Sequence, residues 1–234
     1  MAKVLILSGA GLSAESGIST FRDSGGLWEE YDVTVVCNYD SLQKNEALTI
    51  EFYDKRRKEL EDKEPNYAHK VIAQLKKDFP NDIAVITQNV DNLFEKAGMS
   101  AEEVIHLHGF MTEVRCQSCG EVIDIGYEKL ESSNDGYCRG CGDKLRPNIV
   151  FFGESAPLYV KLNEHIQDCE LFIVIGTSGE VIGVNSIAQF TQMSILNNLE
   201  QSSSIEDSLF SHVLYMKATE AIDEIAYEIE EFLR

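Results

Sequence analysis

The apolar positions of the chain follow two rhythms. Val4 to Leu7, Ile83 to Ile86 and Leu171 to Ile175 are continuous apolar runs rich in β-branched residues and bounded by polar or turn residues. Such runs read as strands buried on both faces, the pattern of a parallel sheet covered by helices. Each passes directly into small or polar residues: Ser8-Gly9-Ala10-Gly11, Thr87-Gln88-Asn89 and Gly176-Thr177-Ser178-Gly179. Open α/β sheets bind ligands just past the carboxyl ends of their strands, so these segments are the first candidates for a site. Helical patterns cover Glu46 to Leu60, Tyr67 to Leu75 and Lys217 to Arg234. In the last, Ile222, Ile225, Ala226, Ile229, Phe232 and Leu233 keep the helical period, with Asp223, Glu224, Glu228, Glu230 and Glu231 largely opposite. That predicts an outer helix with one solvated face, whose acidic run needs no partner. The fold class is α/β, a parallel sheet with helices on both faces.

Composition narrows the function. The chain has 234 residues, 44% hydrophobic and 26% charged, enough for one large domain or two small ones with a real core. Asp and Glu number 40 against 20 Lys and Arg, a formal net charge of -20. A duplex-DNA partner is disfavoured, because phosphate neutralisation needs clustered basic side chains. No run approaches the roughly 18 apolar residues of a membrane helix. Met1-Ala2-Lys3 leads straight into the first strand, too short a run for a secretory leader. These features predict a cytoplasmic protein with no N-terminal extension, no membrane partner and no direct nucleic-acid partner. The sequence leaves the oligomeric state open, and a monomer is compatible with it.

Residues Cys116 to Cys141 break the α/β rhythm, with a turn cluster at Ser132-Ser133-Asn134-Asp135-Gly136. They contain C-x2-C-x18-C-x2-C: Cys116, Cys119, Cys138 and Cys141. Each close pair can present two thiolates from one turn, and two such pairs make a closed tetrahedral zinc site. With all four positions filled by Cys, no ligand position is open for water, so one structural Zn2+ is expected. Arg115, Lys129, Arg139 and Lys144 are outnumbered there by Glu113, Glu121, Asp124, Glu128, Glu131, Asp135 and Asp143, which is no basic patch. Cys37 and Cys169 remain, as buried or inert residues.

Gly9-Ala10-Gly11-Leu12-Ser13-Ala14 fits G-x-G-x-x-G/A after a strand, where glycines permit a tight turn and close approach of backbone N–H groups to a pyrophosphate. A purely structural turn is the competing reading. No acidic residue ends a second strand roughly 20 residues on, as the usual dinucleotide fingerprint requires. The continuation is more specific. The stretch Gly9-Ala-Gly-Leu-Ser-Ala-Glu-Ser-Gly-Ile-Ser-Thr-Phe-Arg-Asp-Ser-Gly-Gly-Leu-Trp28 resembles the cofactor loop of the sirtuins, NAD-dependent protein-lysine deacylases. Thr87-Gln88-Asn89-Val90-Asp91, His106-Leu107-His108-Gly109, Arg146-Pro147 with Phe151-Phe152-Gly153-Glu154, Gly176-Thr177-Ser178 and Asn198-Leu199-Glu200 resemble further sirtuin motifs in family order. The resemblance runs over nearly the whole chain and implies a Rossmann-like sheet with NAD as co-substrate. It most resembles the bacterial, class III subgroup of desuccinylase/demalonylase type.

The resemblance implies roles, residue by residue. His108 acts as general base on the cofactor ribose; a lone His is more often structural, but imidazole can take a proton near neutral pH. His106 reads as a structural strand residue. Asn89 orients the ribose and a water, Gln88 contacts the ribose, and Asp91 binds the nicotinamide amide; turn or cap formation is the plainer reading of both Asx residues. Gly9, Ala10, Gly11, Ala14, Glu15, Ile18, Phe21, Arg22 and Trp28 belong to the cofactor loop, Phe21 shielding the reactive carbon from water. Gly176, Thr177, Ser178, Asn198, Leu199 and Glu200 hold the adenosine half, with Ala218 as a backbone contact near the adenine. Two positions depart from the family: Ser19 and Gly183 stand where proline is usual.

Tyr53 and Arg56 share a helix face three residues apart. A solvated charged helix is the ordinary reading, yet Y-x-x-R here resembles the sirtuins that remove succinyl and malonyl groups. A guanidinium can clamp the distal carboxylate and a phenol can add a hydrogen bond. Acyl-lysine proteins or peptides are the implied partners, with Phe152, Gly153 and Glu154 and, opposite, Gly179, Glu180 and Val181 pairing with the substrate backbone as a strand. The expected organisation is a Rossmann-like NAD-binding domain of residues 1–36, 70–112 and 146–234. A helical insertion at 37–69 and a zinc-binding module at 113–145 form the small domain. Two rivals stay open: a protein ADP-ribosyltransferase using the same NAD site, and a non-catalytic NAD or ADP-ribose sensor.

Overall fold

The computed structural model describes residues 2–19 and 31–234. Its first half runs β1 (Val4–Ser8), α1 (Ala10–Ala14), α2 (Val33–Val36), α3 (Tyr39–Lys44), α4 (Glu46–Leu60), α5 (Tyr67–Asp78), β2 (Ile83–Thr87), α6 (Leu93–Lys96) and β3 (Val104–His106). The second runs β4 (Gly109–Cys116), β5 (Val122–Asp124), β6 (Leu145–Ile149), α7 (Tyr159–Ile166), β7 (Leu171–Ile175), α8 (Val184–Phe190), β8 (Met193–Asn198), β9 (His212–Tyr215) and α9 (Ala218–Leu233).

Among the described residues, six strands form a parallel sheet in the order β3-β2-β1-β7-β8-β9. Strand order reverses between β1 and β7, the switch point where a doubly wound sheet opens a crevice. The apolar runs are β1, β2 and β7, fully buried as their lack of alternation requires. β3, β8 and β9 carry too few apolar residues for the same signal.

Alternate residues of each strand feed opposite cores. Val4, Ile6, Ile83, Val85 and Ile173 pack with Ile72 of α5 and Ile222, Ile225 and Ile229 of α9. Leu5, Leu7, Ile86 and Val174 pack with Leu162 of α7 and Ile187 of α8. Helices therefore cover both faces, as expected. α5 opens on Asn66, whose Oδ1 accepts from the N–H groups of Ala68 and His69.

A second, antiparallel sheet has the order β5-β4-β6. β4 and β6 run across the divisions expected at 112–113 and 145–146. α4 packs on this sheet through Phe52, Tyr53 and Leu60, against Met111, Ile149 and Phe151. The charged reading of α4 needs correction at Arg57, whose side chain is fully buried. Its Nε donates to Met111 O at 2.8 Å, and Nη1 to Asp54 at 2.5 Å and to Glu128 O at 3.2 Å. No helix of the described residues is long and apolar enough to cross a membrane.

Candidate active site

The glycine loop meets the turn after β7 backbone to backbone. Gly9 N–H donates to Ile175 O at 2.9 Å, and Gly11 N–H to Gly176 O at 2.8 Å. A Cβ on Gly11 would lie 2.7 Å from Gly176 Cα, and one on Gly176 (φ +66°) would lie 2.4 Å from Leu12 N. These glycines are thus required by the interlock at the switch point, before any ligand is considered.

Beneath the loop lies a buried polar network. Asn89 Nδ2 donates to Gly9 O and to Ser13 Oγ, both at 3.0 Å. Ser13 Oγ donates to Asp91 Oδ2 at 2.8 Å, while Asp91 Oδ1 accepts Leu93 N–H at 3.1 Å. Asp91 therefore also satisfies the first N–H of α6 from the residue before its N-cap, Asn92. Burial raises its carboxyl above the ordinary value, and the bonds from Ser13 and Leu93 oppose that rise. His69, fully buried, lies 3.5 Å from Ser13 Oγ, and burial lowers its imidazole to about 3. Residue typing singled out Asn89 and Asp91 but neither Ser13 nor His69, which only packing joins to them. Gln88 Nε2 donates to Thr177 Oγ1 at 2.9 Å, linking the ends of β2 and β7.

His108 follows β3. Its Nδ1 lies 3.0 Å from Gln88 O, and its Nε2 lies 2.9 Å from Tyr159 OH. A carbonyl can only accept, so Nδ1 carries the proton of the neutral ring and Nε2 keeps its lone pair. Burial lowers the imidazole below its ordinary value, against the pull of the Gln88 carbonyl. The neutral, proton-accepting form thus prevails at neutral pH. Gly109 (φ +94°) must be glycine: a Cβ there would lie 2.0 Å from Asn148 O. His106 closes β3 as a structural residue, bonded to Asn89 O at 2.8 Å and Glu95 at 2.9 Å. Burial opposes its charge, but Glu95 raises its pKa overall.

On the β8 side, Asn198 Nδ2 donates to Thr177 O at 3.0 Å, and Ser202 Oγ to Ser178 O at 2.7 Å. Leu199 and Glu200 are exposed beside them, and Ala218 is buried at the start of α9. Glu15 has a structural engagement that typing did not foresee. Its carboxylate accepts Thr219 N–H at 3.0 Å and Thr219 Oγ1–H at 2.8 Å, capping α9 across the sheet. Ala10 and Ala14 lie on α1, and Ile18 packs against the α4 cluster. Phe21, Arg22 and Trp28 lie outside the described residues.

Tyr53 and Arg56 share one face of α4. Tyr53 is buried, its ring edge-on to Phe151 at 5.4 Å and its hydroxyl 3.6 Å from Cys37 Sγ. Burial lowers the Arg56 guanidinium, while Glu59 at 3.4 Å favours its charge. Arg56 and Lys63 line a recess of about 340 Å³ together with Ile18, Leu60 and the acidic Glu59 and Asp62. Cys37 and Cys169 are both buried.

The Phe152–Glu154 loop is already braced by the protein. Phe152 N–H donates to Cys37 O at 2.8 Å, and Tyr39 N–H donates to Phe152 O at 3.1 Å. Glu154 accepts two bonds from Arg146, at 2.6 and 2.7 Å. Burial works against the Glu154 charge, but Arg146 and the Phe151 N–H hold its carboxyl below the ordinary value. The Phe152 backbone is thus paired within the chain rather than left as a strand edge. Gly153 (φ +90°) opens away from other atoms, and the Phe152 and Val181 side chains are exposed.

The four cysteines of the module converge. Cys116 and Cys141 Sγ lie 3.3 Å apart and Cys119 and Cys138 Sγ 3.7 Å apart, with all four sulfurs within 4.8 Å of one another. Zinc–sulfur bonds of about 2.3 Å in a tetrahedron put sulfurs about 3.8 Å apart, so the cluster fits one structural zinc. Cys116 and Cys138 are buried with Val114, Leu130 and Leu145, which makes the metal part of a small core.

A sheet in this order, closed by glycines at its switch point, is that of a dinucleotide-binding α/β protein; the four-cysteine module sets it apart from the ordinary dehydrogenase arrangement. The Sir2 family profile matches residues 9–183. An NAD-dependent protein deacylase of Campylobacter jejuni is 47% identical over 235 residues, covering 100% of this chain and 98% of its own. One of Helicobacter hepaticus is 42% identical, covering 99% of each. The crystal structure of a Sir2 homologue–NAD complex aligns with a TM-score of 0.84 at 32% identity, covering 100% of this chain and 91% of the other. The chain belongs to the Sir2 family.

Proposed function

We propose that this NAD-dependent protein deacylase removes succinyl and malonyl as well as acetyl groups from protein lysines, giving nicotinamide, 2′-O-acyl-ADP-ribose and free lysine. A half-buried, neutral His108 whose Nε2 accepts, tied through Gln88 O to the residue beside Asn89 and its network at the switch point, carries the reading. A Sir2 homologue captured with 2′-O-acetyl-ADP-ribose, TM-score 0.82 at 32% identity, supports the product assignment.

Bound NAD supplies an electrophilic ribose carbon for the acyl oxygen and a 2′-hydroxyl that takes over the acyl group. His108 accepts a ribose hydroxyl proton on Nε2, while its Nδ1–H stays on the Gln88 carbonyl and fixes the ring. Asn89, tied through Nδ2 to Gly9 and Ser13, offers Oδ1 to the ribose. Asp91, steadied by Ser13 and Leu93 N–H, receives the nicotinamide amide. Gly153 and Glu154 and, opposite, Gly179 to Val181 bracket the substrate backbone. Holding both substrates in one cleft makes the attack effectively intramolecular. A reducing, cytoplasmic setting keeps the zinc thiolates intact.

Arg56 beside Tyr53 supports the acyl preference. A net charge of -20 repels an acidic acyl group, so a local guanidinium is the feature that reverses this. The test incubates the zinc-loaded enzyme with NAD and succinyl-, malonyl-, acetyl- or unmodified-lysine peptide and follows products by mass. A hydrogen bond to a charged group is worth about 1.5–3 kcal/mol, so Arg56→Met is expected to lower succinyl kcat/KM by about 10- to 100-fold and leave acetyl nearly unchanged. Acetyl much faster than succinyl, with no effect of Arg56→Met, would overturn the acyl preference. ADP-ribose carried by protein without acyl loss would favour the transferase reading, and no nicotinamide release would favour the sensor.

A further inference from the structure

The acceptor atom of His108 is already occupied. With Nδ1 committed to Gln88 O at 3.0 Å, Nε2 has a single in-plane lone pair, and the hydroxyl 2.9 Å away is that of Tyr159. The two rings lie 5.9 Å apart at 38°. Tyr159 is the first residue of α7, half-buried, and its N–H donates to Ala156 O at 3.2 Å. It stands five residues beyond Glu154, whose carboxylate is clamped by Arg146. The loop that resembles a substrate strand therefore delivers a phenol onto the base. Among the described residues no charged side chain bears on the His108 ring; burial and the Gln88 carbonyl are what act on it.

A ribose hydroxyl donating to Nε2 makes the same bond that Tyr159 makes. One lone pair in the ring plane serves one such donor well, so the two hydroxyls compete. We propose that Tyr159 is a positioning residue: its hydroxyl holds the His108 Nε2 acceptor in the resting enzyme and is exchanged for a ribose hydroxyl when the cofactor binds, so that the start of α7 responds to cofactor occupancy. This rests on His108 facing the ribose. A tyrosine that merely satisfied a half-buried imidazole would stay in place.

Tyr159→Phe keeps the ring and removes the donor. Losing a donor to the neutral imidazole makes protonation easier. One neutral hydrogen bond is worth about a two- to tenfold change in an equilibrium, so the His108 titration in the ligand-free variant is expected about 0.3 to 1 pH unit higher. With saturating ADP-ribose, variant and wild type are expected to titrate alike, and the Tyr159 ring-carbon signal of the wild type to shift. Both are read by NMR on the full zinc-loaded chain. In steady state, KM for NAD is expected to fall about two- to tenfold with kcat little changed. The acid limb of kcat/KM, which reports free enzyme, moves up while that of kcat, which reports the complex, does not. An unchanged ligand-free titration, or a variant-to-wild-type difference that persists with ADP-ribose, would overturn the exchange. Deacylation by His108→Ala would instead overturn the general-base reading, and the NMR result still decides the exchange.

Discussion

Replacing Arg57 by methionine removes a cation that water does not reach. Lys55, Arg56, Arg57 and Lys58 are consecutive on α4, yet their side-chain exposures are 44%, 12%, 0% and 66%. Arg57 joins three segments: its own helix through Asp54, β4 through Met111 O, and the stretch before the module's first 3-10 turn through Glu128 O. Asp54 extends the tie by accepting Leu130 N–H at 3.0 Å. Methionine refills the stem but leaves two carbonyls without the guanidinium, and leaves the mostly buried Asp54 carboxylate with the Leu130 N–H but no cation. Breaking one side of a buried pair costs about 3–5 kcal/mol, and the retained packing argues for the lower end, about 3 kcal/mol. Lys58→Met on the same helix is expected to change stability by less than about 0.5 kcal/mol. Urea unfolding of the zinc-loaded protein, followed by circular dichroism, measures both. With a slope of about 3 kcal/mol per M, Arg57→Met lowers the midpoint by about 1 M. A shift no larger than that of Lys58→Met would refute the bracing role.

Burial holds His69 at about 3 against an ordinary 6.5, so the folded state resists a proton that the unfolded chain accepts. Its contribution is complete above 6.5 and is lost at about 1.4 kcal/mol per pH unit as pH falls towards 3; urea midpoints from about pH 7 to about pH 4 should show a shallower decline in His69→Gln. Gly183 has φ -72° and no atom closer than 4.0 Å to an added Cβ, so Gly183→Pro is expected to stabilise the fold by about 0.4–1 kcal/mol, read as a higher midpoint. Cys119→Ser should take elemental zinc below one per chain and lower the thermal midpoint, and zinc retention at full occupancy would count against the tetrad.

Much of the molecule is legible in the chain. β1, β2, β7, α5 and α9 follow from the apolar pattern alone, because a strand buried on both faces and an amphipathic helix each leave a signature; α4 is legible only as a charged helical stretch, since its apolar residues keep no single face. The cysteine spacing implies its own metal chemistry, because two short loops suffice to place four thiolates. Motif order places His108, Asn89 and Asp91 at strand ends. Tertiary structure decides what depends on contacts between distant residues. Gly11 and Gly176 meet across the switch point, Glu15 caps a helix 204 residues away, and Ser13 joins Asn89 to Asp91. Arg57 and Arg56 are the same residue type one step apart, and only the helix's orientation on β4 buries the first and turns the second towards a recess. Tyr159 carries no motif, and the path from Glu154 to α7 is what sets its hydroxyl against His108. Local patterns record the period and chemistry of a segment, whereas the partner of a side chain is set by the packing of segments far apart in the chain.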